Sequence, residues 1–325
     1  MVTPNKNAAE GSTVKEILRN KNDTLCMIGT WAWGSGPNGG KIVFGNHYNE
    51  QQLRDTFECA YNAGFTVWDT AEVYGMGSSE RLLGSLIADK EVSISTKHFP
   101  YRHYRKGENR DAVNASLERL GREKIDIYWL HSPRNIEQNM KELAILQKEG
   151  LIERIGLSNG NLAQIRRAQI TLEEFGTHLF AVQNHYSLLT IERENKILRY
   201  CQKNGIFFYG YMILEQGALS GHYDKDHRFP SMSLRAASFK KSKFKKIQPL
   251  IEYIRELAVK YETDSSRIPV AWAVYNGVIP ILGITKPTHA ENLLDGLEIE
   301  LKSYEIKQLE KLALKSGVRC KGIWE

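Results

Sequence analysis

The sequence predicts an α/β fold, a (β/α)₈ TIM barrel, and three observations carry that prediction. Eight apolar, strand-like runs alternate with eight helical patterns in one direction along the chain. Several of the helical patterns stop at a glycine just before the next strand, where a left-handed cap is expected. Strands this uniformly apolar, each returned by a helix, want a parallel sheet covered on its outer face, and eight units in succession favour closure. An open doubly wound sheet would carry a GxGxxG turn after its first strand. The first turn here reads GTWAWG at 29–34, and its glycine spacing does not fit.

Taken in order, TLCMIG (24–29) is the first strand, followed by a Gly-rich loop and a helix from Asn49 that stops at Gly64. FTVWD then precedes SSERLLGSLIADK, VSISTK precedes RDAVNASLERLG, and IDIYWL precedes NIEQNMKELAILQKEG. IERIGLS precedes NLAQIRRAQITLEEFG, and HLFAVQ precedes IERENKILRYCQKNG. IFFYGY leads through a long loop to IQPLIEYIRELAVKY, and VIPILGI leads to THAENLLDGL. Residues 1–23 read as a polar lead. Residues 24–325 read as a single barrel domain, with a long loop after the seventh strand (about 213–246) and a C-terminal helix and tail.

Hydrophobic residues at 42% and charged residues at 25% permit a sizeable core and do not indicate disorder. The formal charge of +6 suits an anionic ligand but is too small and dispersed to argue for nucleic acid. The basic run KKSKFKK at 240–246 reads as a solvated loop or a helix start. Cys26, Cys59, Cys201 and Cys320 form no CxxC pair and have no metal-ligand spacing with histidine. Reduced thiols and no metal site are expected. The N-terminus lacks an apolar signal core, and no apolar run is long enough to cross a bilayer. The expectation is a cytoplasmic protein with no membrane association; the oligomeric state stays open.

In such a barrel, ligand chemistry sits at the carboxyl ends of the strands. Three strands in succession end in an ionisable residue: Asp69, Lys97 and His131, with Tyr74 five residues beyond Asp69. A carboxylate at a strand mouth is costly to bury without a cationic partner, and Lys97 is the candidate. A phenol has an ordinary pKa of about 10, and a neighbouring ammonium is expected to lower it by ~1 to 3 units. His131 would face the same substrate oxygen. Each residue alone has a plain structural role as a cap, a loop wedge, a surface charge or a core histidine. Together they make a proton-transfer group. Further along the rim stand Thr30, Trp31, Ser158, Asn159, Gln183, Asn184, Tyr211, Thr285 and Lys286.

These residues lie in motifs that resemble those of the aldo-keto reductases: GTWAWG (29–34), DTAEVYG (69–75), STK (95–97), WLH (129–131), IGLSN (155–159), VQNHYSLL (182–189) and the GAL-SG segment (217–221). The resemblance runs from Thr24 to about Leu297. It implies NAD(P)H-dependent reduction of a small-molecule carbonyl in a barrel that binds its nucleotide extended. By that resemblance Tyr74 is the general acid, Lys97 with Asp69 tunes it, and His131 orients the substrate. Thr30 and Trp31 are further cofactor candidates. Ser158, Asn159 and Gln183 match positions that hold the nicotinamide carboxamide, and Tyr211 matches the aromatic that stacks on the ring.

The chain has Met212-Ile213-Leu214 where many relatives have Ser-Pro-Leu, so Leu214, Gln216, Gly217, Leu219 and Ser220 are the candidates beside the phosphates. The segment ILGITKPTHAEN adds Gly283, Thr285, Lys286, His289 and Asn292 for the adenosine end. There His289 replaces a common Arg or Gln, and Asn292 falls one position early. Lys286 near the start of the last barrel helix is the basis for favouring NADP(H) over NAD(H). Trp31, Trp33, His98 and Phe99 are expected to wall the substrate pocket together with the loop 220–246. Ser132, where some relatives carry tryptophan, suggests a roomier or more polar wall. Two other classes compete: a nucleotide-binding regulatory subunit of the same fold, and a barrel isomerase or lyase without nicotinamide. The amide-holding trio argues against the latter.

Overall fold

The structure, a computed structural model, describes residues 26–45, 48–229, 234–291 and 293–320. The lead expected over 1–23 and the candidate Asn292 lie outside the described residues. Eight strands close into one parallel barrel in sequence order. They are β1 Met27–Gly29, β2 Val67–Asp69, β3 Ser93–His98, β4 Ile125–Leu130, β5 Ile152–Ser158, β6 Ala181–His185, β7 Phe207–Tyr211 and β8 Ile279–Gly283.

The helices form an outer layer, and local sequence explains where they start and which face they bury. Helix Glu50–Asn62 is capped by the Asn49 side chain, which accepts from the Gln52 N–H at 2.7 Å, and it buries Leu53, Thr56, Phe57 and Ala60. That spacing is one stripe of an α-helix. Helix Leu162–Glu174 begins in a capping box between Asn161 and Gln164, and helix Glu108–Leu120 ends at Gly121 in the left-handed region. The larger core lies between barrel and helices. A smaller cluster including Met27, Ile127, Trp129, Tyr209 and Ile281 fills the barrel interior and floors the rim.

Two segments depart from the sequence reading. The basic run is a helix start, one of the two readings given for it, but helix Lys241–Lys260 begins six residues before the apolar period that announced it and so shortens the long loop, with Pro249 inside. Helix Arg267–Tyr275, which none of the helical patterns above covers, is buried continuously from Arg267 to Val274. A helix enclosed on all sides shows no polar stripe, so periodicity does not reveal it.

Strand register sets the rim. Asp69 pairs with Gly29 on one side and Ser95 on the other, Ser158 with Gln183, and His185 with Tyr211. The β1 and β2 loops then press together at Gly34. A Cβ there would meet the Gly75 nitrogen and the Tyr74 carbonyl carbon at 2.9 Å, so only glycine lets the Trp31 loop seat against the Tyr74 loop.

Candidate active site

Lys97 points into the barrel with 0% exposure, and its ammonium donates to Asp69 Oδ2 at 2.6 Å and to the Thr70 carbonyl at 2.7 Å. Asp69 is filled on its other oxygen, where Ser95 Oγ donates at 2.6 Å and Gln183 Nε2 at 3.2 Å. Trp129 donates from its indole to Ser95 Oγ at 2.7 Å, tying the ion pair to the inner core. Buried charges persist only when paired and hydrogen-bonded in this way.

Tyr74 stands over this pair, with the Lys97 ammonium 5.2 Å from the centre of its ring. Trp31 stacks on one side of the phenol at 5.7 Å, and His131 meets it edge-on at 6.0 Å. Burial raises the Tyr74 hydroxyl well above its ordinary pKa of 10, and the charges of Asp69 and Tyr211 add to the rise. This overturns the expectation that Lys97 lowers it. The ammonium is neutralised by Asp69 in direct contact, so the phenol faces an ion pair and not a lone cation. Lys97 itself falls below 10.5 because it is buried, with Asp69 opposing the fall. His131 is driven well below 6.5, first by burial and then by the nearby Lys97 and His98 charges, which leaves a neutral imidazole.

A second string of bonds joins this group to the opposite rim. The His131 N–H donates to the His98 carbonyl at 2.8 Å, and the His131 carbonyl accepts from Asn159 Nδ2 at 2.9 Å. Asn159 Oδ1 accepts from the Tyr211 hydroxyl at 2.6 Å, and Ser158 Oγ donates to the Gln183 carbonyl at 2.9 Å. Asn159 makes both contacts from a left-handed backbone, φ 60°, which asparagine tolerates. The other face of Tyr211 is stacked on His185 at 5.6 Å. One cavity of about 530 Å³ opens over all of this. It runs from Tyr74 and His131 past Tyr211, Leu214 and Gln216 to Ser266, Arg267 and His289.

A family model described as the aldo/keto reductase family matches residues 26–314. The chain belongs to the aldo/keto reductase family. It is similar to the chloroplastic pyridoxal reductase of Arabidopsis thaliana, 30% identical over 311 residues, covering 89% of this chain and 83% of that one. It is also similar to the NADH-specific methylglyoxal reductase of Escherichia coli, 28% identical, covering 88% and 93%. Among solved structures, the glycerol dehydrogenase of Gluconobacter oxydans superposes with a TM-score of 0.76 at 25% identity, over 92% of this chain and 94% of that one. An aldo-keto reductase of Klebsiella pneumoniae in complex with NADPH shares the fold, with a TM-score of 0.68 at 23% identity, over 89% and 90%.

In this aldo/keto reductase, the rim candidates divide. Asp69, Tyr74, His131, Trp31, Ser158, Asn159, Gln183 and Tyr211 line the cavity, with Lys97 directly beneath. Leu214, Gln216, Gly217, Ser220, Gly283, Thr285 and His289 line its extension. Others do not reach it. Thr30 is fully buried, its hydroxyl bonded to the Asp69 carbonyl and Ser79, and Leu219 is fully buried in the outer core. Trp33 is buried with its indole donating to the Ile284 carbonyl at 2.7 Å. Lys286 is exposed outside the cavity wall. His98 alternates with Lys97 on β3, so it points outward, where its Nδ1 lies 2.7 Å from Glu72 Oε1. Phe99 packs edge-on against His131 at 5.7 Å, behind the wall.

Sequence reasoning missed three contributors. Ser95 is two residues before Lys97 and therefore faces inward, a signal that was readable. Glu72, within the Tyr74 motif itself, accepts from the Phe99 N–H at 2.8 Å and holds the Tyr74 loop against the end of β3. Arg267 lies in the unforeseen helix and faces the far end of the cavity. Among the described residues, no group of three or more His, Cys, Asp or Glu side chains is arranged to hold a metal ion.

Proposed function

We propose that the chain reduces the carbonyl of a small aldehyde or ketone with a nicotinamide dinucleotide, and that Tyr74 is the proton donor. The observation that carries the reading is the fully buried Lys97–Asp69 pair beneath Tyr74, opening on a cavity whose next residues are Ser158, Asn159, Gln183 and Tyr211.

The residues present fit a dinucleotide. Gln216 Oε1 is shielded from solvent and has no hydrogen-bond partner among the described residues, although the residue lines the cavity. Such an atom calls for a ligand donor. The cavity volume is in the range of cofactor sites. Ser158, Asn159 and Gln183 would hold a carboxamide, with Tyr211 flat against the ring. Gln216, Gly217 and Ser220 would lie along the phosphates, and Ser266, Arg267 and His289 at the adenosine end. The bound nucleotide supplies a hydride; the chain's own residues handle the proton and the orientation.

Tyr74, whose hydroxyl is held protonated by its surroundings, donates to the carbonyl oxygen as negative charge develops there. His131, neutral, gives a second polar contact that fixes which way the carbonyl lies. Lys97 and Asp69 present a fixed dipole under the phenol that needs no rearrangement during the reaction.

NADP(H) remains favoured over NAD(H), now on Arg267 and not on the exposed Lys286. Similar proteins use both nucleotides: the Klebsiella pneumoniae structure is a complex with NADPH, and the Escherichia coli methylglyoxal reductase is NADH-specific. No described helix is long and apolar enough to cross a membrane. The test is to titrate NADPH and NADH by protein fluorescence and then follow NADPH consumption over a panel of aldehydes. Tyr74→Phe is expected to lower kcat by about 10² to 10⁴ while leaving nucleotide affinity essentially unchanged. Nucleotide binding without turnover of any carbonyl, or a Tyr74→Phe enzyme of near wild-type kcat, overturns the reading.

A further inference from the structure

The turn after β7 is held from behind by a segment far along the chain. Helix Ser303–Lys315 packs on helix Lys241–Lys260, and the chain then turns at Gly317, φ 63°, and runs to Cys320 against the loop after β6. Glycine takes that left-handed corner without strain. Three consecutive residues fasten the segment. Val318 is buried in the outer core. Arg319 Nε donates at 2.6 Å to Oε2 of Glu192, in the first turn of helix Ile191–Lys203. The Cys320 N–H donates to the Leu189 carbonyl at 3.4 Å.

The Cys320 side chain is buried and lies between opposite charges. Its thiol donates to the Glu215 carboxylate, and Lys243 Nζ stands 4.0 Å from the sulfur. A thiol is a weak donor and a weak acceptor, so this pair of neighbours turns its S–H toward the carboxylate. Glu215 is thereby held from two places, by His185 and Ser187 on one side and by Cys320 on the other. The two sets are themselves joined, because the Leu189 N–H donates to Ser187 Oγ at 3.1 Å while its carbonyl takes the Cys320 N–H. Next to Glu215 are Gln216 and Gly217, which line the cavity in left-handed conformations. A displaced Glu215 carries them with it, since the Gly217 N–H is bonded to the Leu214 carbonyl and the Ala218 N–H to the Glu215 carbonyl. Burying Val318 would suffice to pack the segment, whereas a donor aimed at a buried carboxylate fixes where that carboxylate lies.

We propose that segment 318–320 is a strap that fixes the turn after β7 for nucleotide binding, with Cys320 a positioning residue that acts through Glu215. This rests on reading the cavity as a dinucleotide site.

The experiment uses the full chain as wild type, Cys320→Ala, Cys320→Ser, Glu215→Ala and the Cys320→Ala/Glu215→Ala double variant. NADPH and NADH are titrated by protein fluorescence, which requires no turnover, and thermal unfolding is recorded for each chain. Cys320→Ala is expected to weaken both nucleotides by about three- to fivefold, with kcat at saturating nucleotide much less affected. Cys320→Ser keeps a donor of similar reach and is expected to bind within about twofold of wild type. In the Glu215→Ala chain the cysteine change is expected to add nothing, because its acceptor is gone. The proposal is overturned if Cys320→Ala binds as wild type does, if Cys320→Ser loses as much as Cys320→Ala, or if the two losses multiply in the double variant. A Cys320→Ala chain already unfolded at the assay temperature also overturns it, since the thiol is given a local role. A wild type that binds neither nucleotide overturns the dinucleotide reading, a result separate from any pattern among the variants.

Discussion

The two halves of the rim are built on different principles. The β2–β4 half is a set of side chains locked to one another: Lys97 to Asp69, Asp69 to Ser95 and Gln183, Ser95 to Trp129. The half after β7 is shaped mainly by backbone. Met212, Glu215 and Gln216 all adopt left-handed conformations, with φ of 58°, 47° and 57°, followed by Gly217 at 102°. Non-glycine residues enter that region only when the surroundings impose it. Here Glu215 is the anchor. It is buried, lies 2.8 Å from His185 Nε2 and accepts from Ser187 Oγ, while its N–H donates to the Met212 carbonyl at 2.8 Å. These contacts hold its carboxyl below the ordinary range although burial pushes it up. A proton-transfer group needs fixed atoms, whereas a surface along a long ligand needs a fixed path. Under the proposed function, the two halves would answer those needs separately.

The comparison breaks most sharply at Asp69. Asp69→Asn leaves the Lys97 charge buried without its counter-ion, and loss of one partner of a buried pair costs about 3 to 5 kcal/mol. Urea unfolding should register that loss, and turnover should fall to near background. Retention of both would mean that the pair is not the support of Tyr74.

Glu215→Ala should act on the other half alone. Nucleotide affinity is expected to weaken by about tenfold as the left-handed turn relaxes, with kcat at saturating nucleotide much less affected. Equal loss of kcat would show that the halves are coupled. Fluorescence titration beside steady-state kinetics separates the outcomes.

The smallest expected effect is in the pH profile. Tyr74 stays protonated because its pKa is raised above 10, and His131 stays neutral because its own is lowered below 6.5. Saturated turnover should therefore show no step near 6.5 and no fall up to about pH 9. Stability behaves differently. Below about 6.5 the unfolded chain binds a proton that folded His131 does not, so His131 lowers stability as pH falls through that value. A kcat step at 6.5 would mean that His131 titrates in the working enzyme.

Much of the first half was legible in the chain because each strand carries its rim residue at its end, where the period-two alternation of β3 and β4 shows which side chains face inward. The same alternation turns His98 outward, and counting from Lys97 would have excluded it from the pocket. The second half was harder to read. Arg267 lies in a helix without a polar stripe, and Cys320 reaches Glu215 only because the segment after helix Ser303–Lys315 folds back on the loop after β6. The displacement of Lys286 from the cavity follows from the path of the chain after β8, on which residue type is silent.

By itself the sequence determined the closed barrel and that a phenol, an ammonium, a carboxylate and an imidazole stand at its rim, because strand ends and repeat count are local properties of the chain. Only the tertiary structure decided the electrostatics among them. Whether Lys97 lowers or fails to lower the phenol's pKa depends on where Asp69's charge lies and on how completely water is excluded. Those are distances and burials, and no local pattern contains them.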